Sequence, residues 1–305
     1  MRKIVLGNRI PSAPIALGCM RMAGLEVAKA ERVVLSAVEQ GIDLFDHADI
    51  YGNGESELIF AQVLKRNPGL REKILIQDKC GIVRNVGYDA SKEHILFAVE
   101  GSLKRLGIEQ LDFLLLHRPD ALMEPEEVAQ AFTLLEKQGK VKYFGVSNQN
   151  PGQIELLQKY MPQRILINQL QLSLAHTPII DQGINMNTHN GYGVMKDGSV
   201  LDYCRLKDIS IQAWSPFMYG MFEGVFLKSE KYAPLNKLIA TIAKEKEVTD
   251  SAIAVAWIMR HPAKIQTLLG TMNEQRLKDI CAAATIDLTR KQWYDLYKAA
   301  GNPLP

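Results

Sequence analysis

Four titratable side chains follow three consecutive apolar segments of the chain. Asp46 and Tyr51 follow the first segment, while Lys79 ends the second. His117 follows the third, a run of leucines. The carboxyl ends of parallel strands meet on one face of a sheet or barrel, so these side chains are expected to share one pocket. An ammonium beside a phenol favours ionisation of the phenol, and a carboxylate can hold that ammonium. The set therefore predicts a proton donor, Tyr51, working closer to neutral pH than a free tyrosine.

The elements that position these residues are eight short apolar segments that alternate with helical patterns. The segments are apolar on both faces, which is typical of a parallel sheet covered by helices. They predict an α/β fold, a (β/α)8 TIM barrel with its site at the carboxyl ends of the strands. The predicted strands are residues 15–18, 43–46, 74–79, 111–117, 143–146, 165–170, 209–214 and 265–269.

Three further segments modify this barrel. A hairpin of residues 3–5 and 9–10 is predicted before the first barrel strand, and residues 173–200 are predicted to form neither helix nor strand. Residues 215–232 are rich in large apolar side chains and indicate a substrate with an apolar part. No linker is visible, so residues 1–305 are expected to form a single domain. The apolar side chains are Phe217, Met218, Tyr219, Met221, Phe222 and Phe226.

The composition excludes several classes of protein. A net charge of +2 over 305 residues gives no basis for binding nucleic acid or a membrane surface. The N-terminus lacks the apolar segment of a signal peptide, and no apolar run is long enough to span a membrane. The four cysteines are scattered without metal-binding spacing and are expected to be reduced. These features predict a cytoplasmic protein.

The motif Asp46-His47-Ala48-Asp49-Ile50-Tyr51-Gly52, with Lys79 and His117 at the next strand ends, resembles the aldo-keto reductases of bacterial type. Their catalytic Asp, Tyr, Lys and His follow the same order, and the resemblance covers nearly the whole chain. It implies hydride transfer from NADPH to an aldehyde or ketone, a small-molecule carbonyl substrate. Tyr51 would be the general acid, with Lys79 and Asp46 lowering its pKa. His117 would hydrogen-bond the carbonyl oxygen.

The resemblance also implies how the cofactor is held, since the chain has no GxGxxG turn. Ser147, Asn148 and Gln169 would bind the nicotinamide carboxamide, and Trp214 would stack on the ring. Arg276, near a helix start, would bind the 2′-phosphate and favour NADP over NAD. Many relatives have a lysine where this chain has Gly270. The other implied contacts are Met20 and Arg21, the segment Ser215, Pro216 and Phe217, and Gly270 with Thr271.

Two alternatives remain open from the residues. One is a regulatory NADPH-binding subunit without turnover, like the members of this family that associate with membrane channels. The other is a barrel hydrolase with a metal held by Asp46, His47, Asp49 and His117. That hydrolase would leave Lys79 beside the metal without a task, and no metal is predicted.

Overall fold

The computed structural model describes residues 1–221 and 223–305. Eight parallel strands form a closed barrel in chain order, and the predicted (β/α)8 barrel is confirmed. In chain order the strands are β1 (Ile4–Leu6), β2 (Ile10–Ser12), β3 (Ile15–Gly18), β4 (Leu44–Asp46), β5 (Leu75–Cys80), β6 (Ile82–Val83), β7 (Gly87–Tyr88), β8 (Leu111–Leu116), β9 (Val141–Ser147), β10 (Ile165–Gln171), β11 (Ser210–Trp214), β12 (Met218–Tyr219), β13 (Gly224–Val225) and β14 (Gln266–Leu269). The eight strands of the barrel are β3, β4, β5, β8, β9, β10, β11 and β14.

Helices coat the barrel, and local signals in the sequence set their starts. Ser91 caps α3 (Lys92–Leu106) by accepting a hydrogen bond from the His94 backbone N–H. Pro125 and Pro151 occupy the first positions of α4 (Pro125–Lys137) and α5 (Pro151–Tyr160), as predicted. No helix of the described part of the chain has the length and hydropathy to cross a bilayer. The helices are α1 (Val27–Glu39), α2 (Glu55–Arg66), α3 (Lys92–Leu106), α4 (Pro125–Lys137), α5 (Pro151–Tyr160), α6 (Pro178–Ile184), α7 (Val200–Leu206), α8 (Ala233–Glu245), α9 (Asp250–Met259), α10 (Glu274–Cys281) and α11 (Arg290–Ala299).

The predicted N-terminal hairpin is confirmed and packs against the interior residues of the barrel. β1 and β2 pair antiparallel, and Leu6 is buried in one apolar cluster with Leu166 and Ile167 of β10. Gly7 has a φ of +54°, and a Cβ there would lie 2.7 Å from the Leu166 Cβ. Glycine therefore permits both the tight turn and its close approach to the barrel.

The prediction that residues 173–200 contain no helix is wrong. They include α6, which begins with Pro178 and buries Ile180. The buried Asp181 of this helix is paired inside the protein, because the Tyr297 hydroxyl donates to Asp181 Oδ1 at 2.7 Å. A polar sequence is compatible with a buried helix when distant side chains supply such partners.

The apolar residues of the 215–232 insertion mostly pack within the protein. Phe226 is fully buried, and Phe217 and Tyr219 pack against the core. The Tyr219 ring also lies 5.3 Å from the Tyr232 ring, centroid to centroid. Phe222 of the predicted apolar set lies outside the described residues. These aromatic residues therefore stabilise the insertion itself.

Candidate active site

A buried ion pair joins the ends of β4 and β5. The Lys79 Nζ donates to Asp46 Oδ1 at 2.7 Å and to the His47 carbonyl at 2.6 Å. Lys79 is only 1% exposed and Asp46 2% exposed. Burial alone would lower the lysine pKa, but the charge of Asp46 and the proximity of Tyr51 raise it above its usual value. Lys79 is therefore a fixed, charged ammonium inside the barrel mouth.

Tyr51 is brought to this ammonium by a tight turn that follows β4. The Tyr51 N–H donates to the Ala48 carbonyl at 3.0 Å, and Gly52 has a φ of +58°. A side chain at Gly52 would also collide with Ala23, so both the positive φ and the close approach of Ala23 require glycine here. The Lys79 Nζ lies 5.0 Å from the Tyr51 ring centroid.

His117, directly after β8, completes the cluster. Its ring lies edge-on to the Tyr51 ring, with 5.9 Å between centroids. Burial lowers the His117 pKa well below its usual value, and the positive charges of Lys79 and Arg118 add to this effect. The imidazole is therefore neutral at physiological pH and can donate one N–H. Asp46, Tyr51, Lys79 and His117 lie together, as their positions at strand ends predict.

The predicted acidity of Tyr51 differs from what this environment produces. Burial raises the pKa of Tyr51 to about 12, and the Lys79 charge offsets only part of the rise. The expected lowering of the Tyr51 pKa by Lys79 is present, but it is outweighed because the cost of burying a phenolate dominates. The phenol consequently holds its proton at neutral pH, as a proton donor must.

The residues predicted to hold the nicotinamide lie side by side at the ends of β9, β10 and β11. Ser147 Oγ donates to the Gln169 carbonyl at 2.9 Å, and Asn148 Nδ2 donates to Ser147 Oγ at 2.8 Å. The Trp214 indole N–H donates to Asn148 Oδ1 at 3.2 Å. Asn148 has a left-handed φ of +57°, a conformation that recurs at functional sites. A row of amides beside an aromatic face fits a flat ring carrying a carboxamide.

The segment after Trp214 forms a fixed turn. Ser215 has a left-handed φ of +51°, and its carbonyl accepts from the Met218 N–H at 3.1 Å. The Phe226 N–H donates to the Phe217 carbonyl at 3.0 Å, which connects the turn to the buried Phe226 of the insertion. Pro216 and Phe217 therefore continue directly from the aromatic face of Trp214.

Residues from both ends of the chain meet where the adenosine is expected. The Arg21 Nη1 donates to the Gly270 carbonyl at 3.1 Å. Asn273 caps α10 by accepting from the Arg276 N–H at 2.8 Å, which places Arg276 in the first helical turn. Thr271 lies in the same loop, and its hydroxyl accepts from the Asn273 N–H. The helix N-terminus and two arginines suit a phosphate.

Ser56 of α2 holds the loop that carries Met20 and Arg21. Its hydroxyl donates to the Cys19 carbonyl at 3.0 Å and accepts from the Ala23 N–H at 3.1 Å. Met20 itself is 41% exposed at the rim. The loop after β3 is thus fixed to the helix that follows Tyr51.

A cavity of about 450 Å³ opens between Trp214 and the β8, β9 and β10 loops. Among the described residues of the predicted apolar set, Met221 alone lines this cavity. The expectation of a substrate with an apolar part stays a prediction; the apolar lining of the cavity comes mainly from residues outside the insertion, among them Leu170, Ile179 and Val200. The polar residues lining the cavity include Arg118, Gln149, Gln153, Gln171, His176 and Asp197.

The residues of the metal-site alternative have other surroundings. Both ring nitrogens of His47 are buried without a partner, and the ring packs against Phe60 with 4.6 Å between centroids. Burial lowers the His47 pKa to about 3, with a further contribution from Lys79. Asp46 is already held by Lys79. Across residues 1–221 and 223–305, no group of three or more His, Cys, Asp or Glu side chains is arranged to hold a metal ion.

Sequence reasoning missed a set of buried glutamines beneath the site. Gln77 and Gln212 are both fully buried inside the barrel. Each lies two residues before a predicted site residue, Lys79 and Trp214 respectively. Residues two apart on a strand face the same side, so this spacing was the available signal.

Comparisons with known proteins identify the family of the chain. The sequence profile described as "Aldo/keto reductase family" matches residues 14–300. The 6-dehydroglucose reductase of Agrobacterium fabrum is 36% identical, with 98% of each chain covered. The oxidoreductase YcsN of Bacillus subtilis is 34% identical with the same coverage. An aldo/keto reductase from Klebsiella pneumoniae, solved with NADP and acetate, has a TM-score of 0.78 at 22% identity and covers 99% of this chain and 96% of its own. The chain belongs to the aldo/keto reductase family of oxidoreductases.

Proposed function

We propose that the chain catalyses the NADPH-dependent reduction of an aldehyde or ketone. The observation that carries this proposal is the convergence of Tyr51, Lys79 and His117 above the buried Asp46 carboxylate. A protonated phenol, a fixed ammonium and a neutral imidazole suit a reaction in which negative charge develops on a carbonyl oxygen.

Each of these residues has a separate role in the proposal. When bound, the reduced nicotinamide supplies a hydride to the carbonyl carbon. Tyr51 donates its proton to the carbonyl oxygen as general acid. Lys79, held by Asp46, stabilises the phenolate that remains. The neutral His117 donates an N–H to the same oxygen and fixes its position.

The proposed cofactor is NADPH, with NADH a weaker ligand. Ser147, Asn148 and Gln169 would hold the carboxamide beside Trp214. The phosphate preference rests on Arg21 and Arg276, which flank the loop from Gly270 to the start of α10. The bound NADP of the Klebsiella pneumoniae structure is consistent with this choice.

The proposed substrate class is a hydroxyl-rich aldehyde of the sugar type. Side-chain amides and charged groups line the cavity beside Trp214, including Gln149, Gln153 and Asp197. Such groups can both donate to and accept from hydroxyls, and the indole offers an apolar face to sugar C–H groups. The Agrobacterium fabrum relative carries the name 6-dehydroglucose reductase, which supports the same class.

Two titrations and one assay panel test the proposal. Binding of NADPH and NADH is followed by nicotinamide fluorescence, and turnover is then measured with aromatic, aliphatic and sugar aldehydes. We expect tighter binding of NADPH, and the highest kcat/KM with a sugar aldehyde. NADPH binding without turnover of any carbonyl would favour the regulatory-subunit alternative instead.

A further inference from the structure

The interior of the barrel contains a layer of glutamines directly below the ion pair. Gln77 of β5, Gln169 of β10, Gln212 of β11 and Gln266 of β14 are all at most 3% exposed. Amides this deeply buried are costly unless their donors and acceptors are paired. Their partners therefore indicate what the layer does.

Three donors converge on one oxygen of the acid. Asp46 Oδ1 accepts from Lys79 Nζ at 2.7 Å, from Gln77 Nε2 at 2.6 Å and from Gln169 Nε2 at 3.1 Å. Hydrogen bonds to an ionised carboxylate are stronger than those between neutral groups. Gln77 thus fixes the carboxylate that fixes Lys79.

The same glutamine is held in one orientation by its neighbour. Gln77 Nε2 donates to Gln212 Oε1 at 2.9 Å, and Gln212 Nε2 donates back to Gln77 Oε1 at 3.1 Å. Gln212 Oε1 also accepts from Gln169 Nε2 at 3.0 Å. Gln77 and Gln169 therefore share two acceptors, Asp46 and Gln212.

The array continues to the opposite end of the barrel. Gln212 Nε2 donates to Gln266 Oε1 at 2.8 Å, and Gln266 Nε2 donates to Ser12 Oγ at 3.0 Å. This connection anchors the amides to the N-terminal hairpin. The titratable groups around the upper part of the array are Lys79, Tyr51, Asp78, His47 and Cys19.

We infer that Gln77 is a positioning residue for the Asp46–Lys79 pair. Gln77 and Gln169 donate to the same two acceptors, Asp46 and Gln212, and these shared acceptors couple the ion pair to the cofactor-binding Gln169. This inference rests on the proposed function for its kinetic consequence. Gln77 touches neither substrate nor cofactor, and acts through the orientation of the Asp46 carboxylate. The array thereby joins the residues that hold the nicotinamide to those that serve the proton donor.

The kinetic test compares two substitutions that remove the same donor. Gln77→Met should lower kcat about tenfold or more, since it removes a hydrogen bond to a charged group. Gln77→Glu should lose activity at neutral pH but recover as pH falls, because a protonated carboxyl can again donate to Asp46. Two adjacent carboxyls raise the pKa of one of them, which brings that recovery into an accessible range. Gln163→Met is the matched control, as Gln163 is buried and hydrogen-bonded to Glu136 outside this array.

A binding test examines the coupling without turnover. NADPH dissociation constants are measured for Gln77→Met, Gln169→Met and the double variant, with thermal midpoints to confirm folding. Residues in one hydrogen-bond network show non-additive effects, so the double variant should differ from the product of the single effects by about threefold or more. The effects of Gln163→Met and Gln169→Met on the NADPH dissociation constant should multiply, so their double variant should match the product of the single effects within about twofold.

The outcomes separate this inference from the proposed function. The inference is overturned if the Gln77→Glu to wild-type activity ratio does not change with pH, or if the Gln77 and Gln169 effects on NADPH binding simply multiply. If the wild type binds NADPH but reduces no carbonyl, the proposed function fails, and the binding cycle alone decides the coupling. A wild type that binds no NADPH would overturn both.

Discussion

Arg21 lies against Gly270, and the absence of a side chain at Gly270 is what makes room for it. The Arg21 Nη1 donates to the Gly270 carbonyl at 3.1 Å, and a Cβ at position 270 would lie 2.9 Å from that same nitrogen. The Arg21 guanidinium therefore stands beside the loop that leads to Arg276 at the start of α10.

This relationship predicts how phosphate recognition is divided between two arginines. Arg276→Ala and Arg21→Ala should each raise the NADPH dissociation constant about tenfold or more, because a charge-assisted hydrogen bond to phosphate contributes on the order of 1.5–3 kcal/mol. NADH binding should change less than about twofold, since it lacks the 2′-phosphate. Fluorescence titration with both nucleotides measures the difference.

The Gly270→Ala variant is the internal control for this pair. It leaves both arginines in the sequence but displaces the Arg21 guanidinium, so its effect on NADPH should resemble a weaker Arg21→Ala. Equal losses of NADPH and NADH affinity in the two arginine variants would contradict a role in phosphate recognition.

Arg118 provides a test of the substrate class. Its guanidinium lies 5.6 Å from the centroid of the Trp214 ring, and the residue lines the cavity beside that ring. Arg118→Met keeps much of the length and removes the donors, so KM for a sugar aldehyde should rise about tenfold. KM for an aromatic aldehyde without hydroxyls should stay within about twofold. A parallel rise for both substrates would argue against recognition of hydroxyls by Arg118.

His47 makes the protein less stable as the pH falls below neutrality. Burial holds its folded-state pKa at about 3, below the unfolded value near 6.5. Between these values the unfolded chain binds a proton that the folded protein excludes, so this histidine destabilises the fold progressively as pH falls. His47→Leu removes this dependence of stability on pH, and it also removes the two buried ring nitrogens that lack a hydrogen-bond partner.

The predicted result for His47→Leu is a change in its stability relative to wild type. The difference in unfolding free energy should shift in favour of the variant by on the order of 2 kcal/mol between pH 7 and pH 5. Urea denaturation at each pH measures it. A difference that does not vary with pH would show that His47 is not excluded from protonation in the folded state.

The strand ends of this chain were predictable because each site residue ends an apolar segment. Apolar runs before Asp46, Lys79 and His117 indicate buried parallel strands, and parallel strands bring their carboxyl ends together. The order of these residues and the Gly52 turn then sufficed to predict the cluster. Local sequence carries such information because strand direction and turn geometry are set by neighbouring residues.

Other features depend on contacts between distant residues and could not be predicted in that way. The pKa of Tyr51 depends on how deeply the phenol is buried, which no local pattern specifies. The helix α6 depends on a partner for Asp181 that lies more than a hundred residues away, at Tyr297. The burial of Phe226 depends on the core residues that pack around it. Each requires knowledge of the packed structure.

A single-turnover measurement on Tyr51→Phe tests whether Tyr51 is the proton donor. NADPH is bound to saturation, an aldehyde substrate is added, and oxidation is followed by the loss of nicotinamide absorbance. We expect a rate at least about a hundredfold below that of the wild type, because a general acid is lost, with an unchanged NADPH dissociation constant. Retention of more than about a tenth of the wild-type rate would contradict Tyr51 as the proton donor.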